Sequence, residues 1–387
     1  MDRRTFINTS IATATAAALP KWARAAANPL AAPRIGPSGN LGDSWYPSIT
    51  GLPSLPAIKW SAIGATAPTL LTSKSNYLSP VDVVVICWAE AEWAPIEHVF
   101  VSSSSSMAYS AASTSSWSGW DQYTYDLPSG VSGWTYWGYY RIVEVNGKTV
   151  MLFKSNTHLD FPGAADLTKL IQMIVKYCKP SLIISTGTAG GSRLTDKIGT
   201  INVVNAATMY SSSEPSSSWP TYTTSYVPTW GVVEQSGFSS LLVPIPATSA
   251  NLSTLASQFN SHYGTSYSIS TLNADSLCTP SALPALNNLV PNGTSLLTAS
   301  TFVTGNTSAD YANYAVIEMD DAVIAQVCQA SNVPYLSVRN VSDPAQNASL
   351  PASVQGNWGS AVYDVFGFYT SYNGALVAWA VIQGMAA

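Results

Sequence analysis

The residues best suited to chemistry in this chain are acidic and stand where apolar runs end. In PYLSVRNVSDPAQ a strand-like stretch (Tyr335, Leu336, Val338, Val341) stops abruptly at Ser342-Asp343-Pro344. In VDVVVICW, residues 81–88, a β-branched run is followed at once by Glu90 and Glu92. YAVIEM, residues 314–319, leads into Glu318-Met319-Asp320-Asp321, and SLIIST, residues 181–186, leads into GTAGG. Carboxyl groups gathered in one cleft suit acid/base hydrolysis, in which one protonates a leaving group while another activates water. A further carboxylate is a natural partner for the vicinal hydroxyls of a sugar. GTAGG lets backbone approach a ligand closely, because glycine has no Cβ.

Such residues need a frame that brings strand exits together. ADLTKLIQMIVKY, residues 165–177, has apolar residues at helical spacing and closes at Cys178-Lys179-Pro180. YYRIVEV (139–145) and TVMLFKS (149–155) read as strands joined at Asn146-Gly147, a hairpin turn signal. INVVNAA (201–207) and PYLSVRNVS (334–342) read as strands, DAVIAQVCQAS (321–331) and residues 359–385 as helices. Strands alternating with helices imply an α/β chain with a largely parallel sheet covered on both faces. In such folds ligands collect at the carboxyl ends of the strands.

The bulk numbers bound the setting. The chain has 387 residues, 47% of them apolar, so a sizeable core is available. Only 10% are charged, against roughly 25% in ordinary soluble proteins. A net charge of −5 gives no electrostatic reason to expect nucleic acid or an anionic membrane as a partner. Arg3-Arg4, the short apolar stretch IATATAAALP and Ala23-Arg24-Ala25 read as a twin-arginine export signal over residues 1–25. The expected location is therefore the periplasm or the outside of the cell. Residues 26–80 read as an irregular arm, and residues 81–387 as one domain with insertions near 102–138 and 210–295. No later segment is expected to cross a membrane. Cys87, Cys178 and Cys328 sit in apolar contexts and are expected to pack as small core residues; with Cys278 they match no metal motif. His98, His158 and His262 are scattered, and no metal site or Ser-His-Asp triad is expected.

Four blocks, in this order along the chain, carry a resemblance: ICWAEAEW, KSNTHLDFPGAADLTKLIQMIVKYCKPSLIISTGTAGG, TASTFVTG and VIEMDDAVIAQVCQASNVPYLSVRNVSD. Together they resemble methylthioadenosine/S-adenosylhomocysteine nucleosidases and, more widely, the nucleoside phosphorylase superfamily. The resemblance implies a three-layer α/β/α sandwich with a central, mostly parallel mixed sheet, no metal or organic cofactor, and a homodimer acting on a small purine nucleoside. It makes Asp343 the general acid that protonates N7 of the purine, oriented by Ser342. Glu92 becomes the base that activates the attacking water, held by Arg339. Phe302 stacks on the purine and the backbone of Val303 reads its edge. Met319 packs against the ribose, Glu318 joins the binding residues, and Asp320 stands where the family uses Glu to hold the 2′- and 3′-hydroxyls. Thr188 and the glycines around Gly190 line the ribose and nucleophile pocket.

Some positions depart from the family's pattern. Asp320 is one methylene shorter than Glu, Pro344 follows the acid, Thr200 replaces an expected Asp, and the two insertions can reshape the substrate mouth. Phosphorylases of the superfamily place a phosphate-binding Arg just before the Gly-rich loop, whereas this chain has Ser185. Water is then the expected nucleophile. The reading is an exported purine nucleosidase. Its alternatives are a phosphate-dependent phosphorylase and a non-catalytic nucleoside-binding or storage protein of the same fold. The bland readings are that Asp343 caps a following turn, Glu92 is a solvated loop carboxylate, Phe302 is a core aromatic, and Asp321 is a first-turn helix residue favoured by the macrodipole.

Overall fold

The apolar runs of the sequence form strands and the periodic ones form helices. A computed structural model describes residues 45, 47–71, 77–109, 119–128, 136–159, 162–193, 195–230, 237–273, 282–300, 309–343 and 350–386. Strand β1 (Thr69–Leu71) precedes β2 (Val83–Cys87) and helix α1 (Glu90–Phe100). Then come β3 (Asp121–Tyr123), β4 (Gly138–Val145), β5 (Lys148–Ser155), α2 (Ala164–Cys178) and β6 (Leu182–Gly190). β7 (Ile201–Val204), β8 (Ala206–Met209) and β9 (Thr221–Thr223) lead to α3 (Ser249–Tyr263) and the short α4 (Ile269–Asn273). β10 (Leu286–Asn288), β11 (Leu296–Thr298), β12 (Ile317–Glu318), α5 (Asp321–Ser331), β13 (Tyr335–Asp343) and α6 (Ala352–Gln383) complete the described chain.

The centre of the sheet is parallel: β5, β2, β6 and β13 lie side by side in that order. Antiparallel pairs flank it, with β4 outside β5, β1 and β3 on β4, and β7 on the far side of β13. β12 touches β6 only at Ile317 opposite Gly190, and through it β11, β8 and β9 join the sheet. Two apolar layers cover the two faces. Val83, Val85 and Cys87 of β2 pack with α1 and α6, while Val84 and Ile86 pack with α2 and α5. That alternation is the period of two of a pleated strand. It makes β2 an uninterrupted apolar run, as burial on both faces requires. The three-layer sandwich expected from the sequence is thus the architecture found.

Local signals account for the boundaries. α2 buries Leu167, Leu170, Ile171 and Ile174 and stops at Lys179, whose φ of 48° is the left-handed cap. Asn146 and Gly147 both have positive φ, as a tight hairpin turn between β4 and β5 demands. Cys87, Cys178 and Cys328 are free and buried, as expected, while Cys278 lies outside the described residues.

Several elements differ from the sequence reading. Glu90 and Glu92 do not lie in a loop but open α1, which has no side-chain cap because Ala89 offers no acceptor. INVVNAA divides into β7 and β8 at Asn205, whose Nδ2 donates to the carbonyls of Thr224 and Tyr226. Only Ile317–Glu318 of YAVIEM pairs as strand, both residues alongside β11 and Ile317 also opposite Gly190 of β6. The arm is not wholly irregular: Trp60–Ile63 form a 3-10 turn packed into the core, and β1 joins the sheet edge. The stretch 210–295 holds α3, capped by Thr248 and buried through Leu252, Leu255, Ala256 and Phe259. By length and composition Val354–Gln383 in α6 passes as a membrane span, against expectation, yet its most apolar stretch is wholly buried within the protein. It is the central helix of one layer.

Candidate active site

The site forms at the carboxyl ends of β2, β5, β6 and β13. β6 is its axis. Its odd-numbered residues share a face with Tyr335, Ser337, Arg339 and Val341 of β13, since Ser185 pairs with Ser337 and Gly187 with Arg339 in parallel register. Ile183, Ala189, Tyr335 and Val341 belong to the apolar layer against α5. Ser185, Ser337 and Arg339 interrupt that layer with polar groups. All three bind Asp321, the first residue of α5.

Asp321 is a fully buried hub. Arg339 grips it with both Nε, 3.0 Å from Oδ2, and Nη2, 2.7 Å from Oδ1. Ser337 Oγ donates to Oδ2 at 2.5 Å, and Ser185 Oγ donates to Oδ1. Burial works against ionisation here, but Arg339 and the hydroxyl donors outweigh it and hold the carboxyl below its ordinary range. Asp321 is therefore more than a first-turn helix residue. Arg339 also reaches Glu318 Oε2 at 3.2 Å, and its guanidinium lies 5.1 Å from the Trp88 ring centre, within cation–π range. Among the described residues its hydrogen bonds go to Asp321, Glu318, Ser185 and the Thr188 carbonyl. Arg339, expected to hold Glu92, lies beside it and interacts with it through charge, while its hydrogen bonds serve Asp321 and Glu318.

Glu318 supplies the cap of α5. Its Oε2 accepts the backbone N–H groups of Asp320 and Asp321 at 2.6 and 3.0 Å, and its Oε1 accepts from Thr298 Oγ1. Burial, reinforced by the negative Asp321 alongside, pushes its carboxyl up to about 8.

Glu92 enters from α1 at the exit of β2. Its Oε2 accepts the backbone N–H groups of Trp88 and Ala89, both at 2.8 Å, and so replaces the missing cap. Its Oε1 accepts the backbone N–H and the hydroxyl of Thr188 at 2.7 and 2.6 Å. Gly187 makes this approach possible: a Cβ there would stand 2.5 Å from Glu92 Oε1 and 2.8 Å from Arg339 Nη1. Gly187, within β6, thus admits protein groups rather than ligand alone.

Asp343 ends β13 just past a register shift that follows Val341. Its Oδ2 would lie 3.0 Å from a Cβ on Gly190, and its Oδ1 accepts from Ser342 Oγ at 2.8 Å. Burial pushes its carboxyl from 3.8 up to about 7, the Ser342 bond opposing that rise. Glu92 meets β6 at Gly187 and Thr188 and Asp343 meets it at Gly190, two to three residues on. At ~3.3 Å per residue that is roughly 7–10 Å along the strand, the span of a nucleoside's sugar and glycosidic bond.

Asp320 binds neither Arg339 nor Glu92. Its Oδ2 lies 3.0 Å from His158 Nδ1 and its Oδ1 accepts the Leu159 backbone N–H at 2.9 Å. Met319 is buried between Glu318 and Asp320. Phe302 and Val303 lie outside the described residues, as does Pro344. The sequence reading missed Asp321, Ser337 and His158 as site residues. The alternation of Ser337 and Arg339 in an otherwise apolar strand was a signal for the first two; nothing local marked His158. Among the described residues no cluster of His, Cys, Asp and Glu has metal-ligand geometry.

A mostly parallel α/β/α sandwich with carboxyl groups converging at its strand exits defines the class. The sequence profile of the Phosphorylase superfamily matches residues 127–362, and the chain belongs to that family. Among curated relatives, the 5'-methylthioadenosine/S-adenosylhomocysteine nucleosidase of Haemophilus influenzae (strain PittEE) is 28% identical over 204 residues, covering 52% of this chain and 70% of the relative. The enzyme of the same name from Actinobacillus succinogenes is 27% identical over 201 residues, again 52% and 70%. Of solved structures, the Neisseria meningitidis nucleosidase of that name, in complex with methylthio-immucillin-A, aligns over 79% of this chain and 99% of its own. Its TM-score is 0.44 at 14% identity. Futalosine hydrolase of Helicobacter pylori aligns over 78% and 98%, with a TM-score of 0.42 at 15% identity.

Proposed function

We propose that the chain is an N-ribosyl hydrolase that splits purine nucleosides of the methylthioadenosine type into the free base and the sugar that carries the 5′ substituent. The observation that carries the reading is that two buried carboxyl groups, Glu92 and Asp343, both meet the carboxyl end of β6, with burial pushing Asp343 up to about 7. In the proposed reaction Asp343 gives its proton to the departing purine as the bond to C1′ breaks. Water adds to C1′, and its proton passes to Glu92. Both oxygens of Glu92 already accept two donors each, which fills a carboxylate's lone pairs. The Thr188 hydroxyl is the donor that can turn away without breaking backbone pairing. Its rotation frees Oε1 for the nucleophile.

Charge favours water over phosphate. A dianion calls for a free guanidinium. Here Ser185 occupies the expected position and is bonded to Asp321, while the charge of Arg339 is already matched by Asp321. The relatives' names support the choice of methylthioadenosine as first substrate. Arg3-Arg4 and the Ala23-Arg24-Ala25 site support export, and the resemblance supports a homodimer.

The test is incubation of the purified protein with methylthioadenosine or adenosine, with and without phosphate, followed by chromatography of the base. Release without phosphate is expected, and its loss in both Asp343→Asn and Glu92→Gln. Release that needs phosphate makes the protein a phosphorylase. Turnover that survives both substitutions refutes the proposed roles.

A further inference from the structure

In the sequence His158 is one of three scattered histidines. In the fold it is 2% exposed and stands at the exit of β5, with Nδ1 3.0 Å from Asp320 Oδ2. A carboxylate only accepts, so Nδ1 is the protonated ring nitrogen. The next residue gives a second donor, the Leu159 N–H, to the other oxygen of Asp320. Two donors from one turn therefore fix both oxygens of Asp320.

The pair adjoins the chemistry. Trp88, whose N–H holds Glu92, donates its indole Nε1 to the Thr157 carbonyl at 3.0 Å, and its ring centre lies 6.2 Å from that of His158. The β5 exit is thereby tied to the Glu92 helix on one side and to the α5 start on the other. The same turn carries Asn156 Nδ2 and Thr157 Oγ1, buried and without hydrogen-bond partners among the described residues. Unmet polar groups in a buried turn mark a place where polar atoms of a ligand or water complete the bonding. Each oxygen of Asp320 keeps capacity for a further donor, and a vicinal diol offers two.

We propose that His158 is a positioning residue that sets Asp320 as the clamp for the 2′- and 3′-hydroxyls, making the site selective for ribonucleosides over their deoxy forms. This rests on the nucleoside reading above. It differs from a merely structural role, in which the pair would only join β5 to α5 and substrate hydroxyls would be immaterial.

The experiment is calorimetric titration of the full chain, carrying Asp343→Asn to prevent turnover, with adenosine, 2′-deoxyadenosine and 3′-deoxyadenosine. His158→Ala and His158→Asn are compared in that background. His158→Ala is expected to weaken adenosine binding by about 10-fold or more, as loss of a hydrogen bond to a charged group does, while the deoxy forms change little. His158→Asn, which keeps an N–H near the Nδ1 position, restores most of the preference. Equal weakening for all three ligands, or none, overturns the proposal. If His158→Ala does not fold, Asp320→Asn decides: it must lose the preference for adenosine, and keeping it overturns the proposal. The two readings fail separately. A ribose preference that depends on His158, in a wild-type protein that releases no base, overturns hydrolysis alone. Base release with a preference indifferent to His158 overturns the clamp alone, and absence of any nucleoside binding overturns both.

Discussion

Asp343→Asn tests the central electrostatic argument without relying on turnover. The side chain is 4% exposed, and among the described residues Ser342 Oγ is its one side-chain hydrogen-bond donor. Burial lifts its carboxyl from 3.8 to about 7. Between those values the folded chain holds a proton that the unfolded chain has released. Wild-type stability therefore falls as pH rises through that window, and the loss is complete once pH passes the folded value. A gap of about three pH units, at about 1.36 kcal/mol each, amounts to roughly 4 kcal/mol. Asparagine has the same shape and no titration. The stability of Asp343→Asn relative to wild type should then climb by about 4 kcal/mol between pH 4 and pH 8 and level off above. Glu318 titrates in both proteins and cancels to first order. Urea unfolding of the two proteins at several pH values measures the difference. The same group sets activity: base release by the wild type should decline as pH rises above about 7, and the variant should lose about 10²–10⁴-fold of its rate. A stability difference that does not vary with pH would refute the claim that this carboxyl is held protonated by burial.

Two further perturbations probe the network. Gly187→Ala drives a methyl to within 2.5 Å of Glu92 Oε1 and 2.8 Å of Arg339 Nη1, side chains that must then shift. Its circular dichroism should match wild type while base release falls by about 100-fold, the cost of a reacting group displaced by about 1 Å. Asp321→Asn removes the bidentate partner of Arg339 in the core, and urea unfolding should show a loss of about 3–5 kcal/mol. Because Asp321 also repels Glu318, the Glu318 carboxyl should titrate lower in that variant, as its carboxyl resonance in NMR would report.

Much of the frame was legible in residue types. The unbroken apolar VVVIC and the alternation in YLSVRNV mark strands because pleating places successive side chains on opposite faces. The amphipathic period of α2 and the left-handed stops at Lys179 and Asn332 mark helix ends in the same local way. α1 was not legible. ICWAEAEW has no Ser, Thr, Asp or Asn to cap a helix, and the cap that forms is the Glu92 carboxylate, held from β6 by Thr188. Asp321 beside Asp320 in EMDD was equally ambiguous, since adjacent residues at a helix start point in different directions. One turns to Arg339 and the other to His158.

By itself the sequence determined which side chains could do acid/base chemistry, the order of strands and helices that carries them to one edge of a sheet, and the glycines that leave room there. Those are properties of local pattern and of residue size. Only the tertiary structure decided how charge is shared among the carboxyl groups. Whether Asp343 keeps its proton while Asp321 gives one up depends on burial and on which side chain the single guanidinium of Arg339 faces. Those neighbours come from segments far apart along the chain, and Coulomb and desolvation energies depend on distance and depth in the fold, not on separation in sequence.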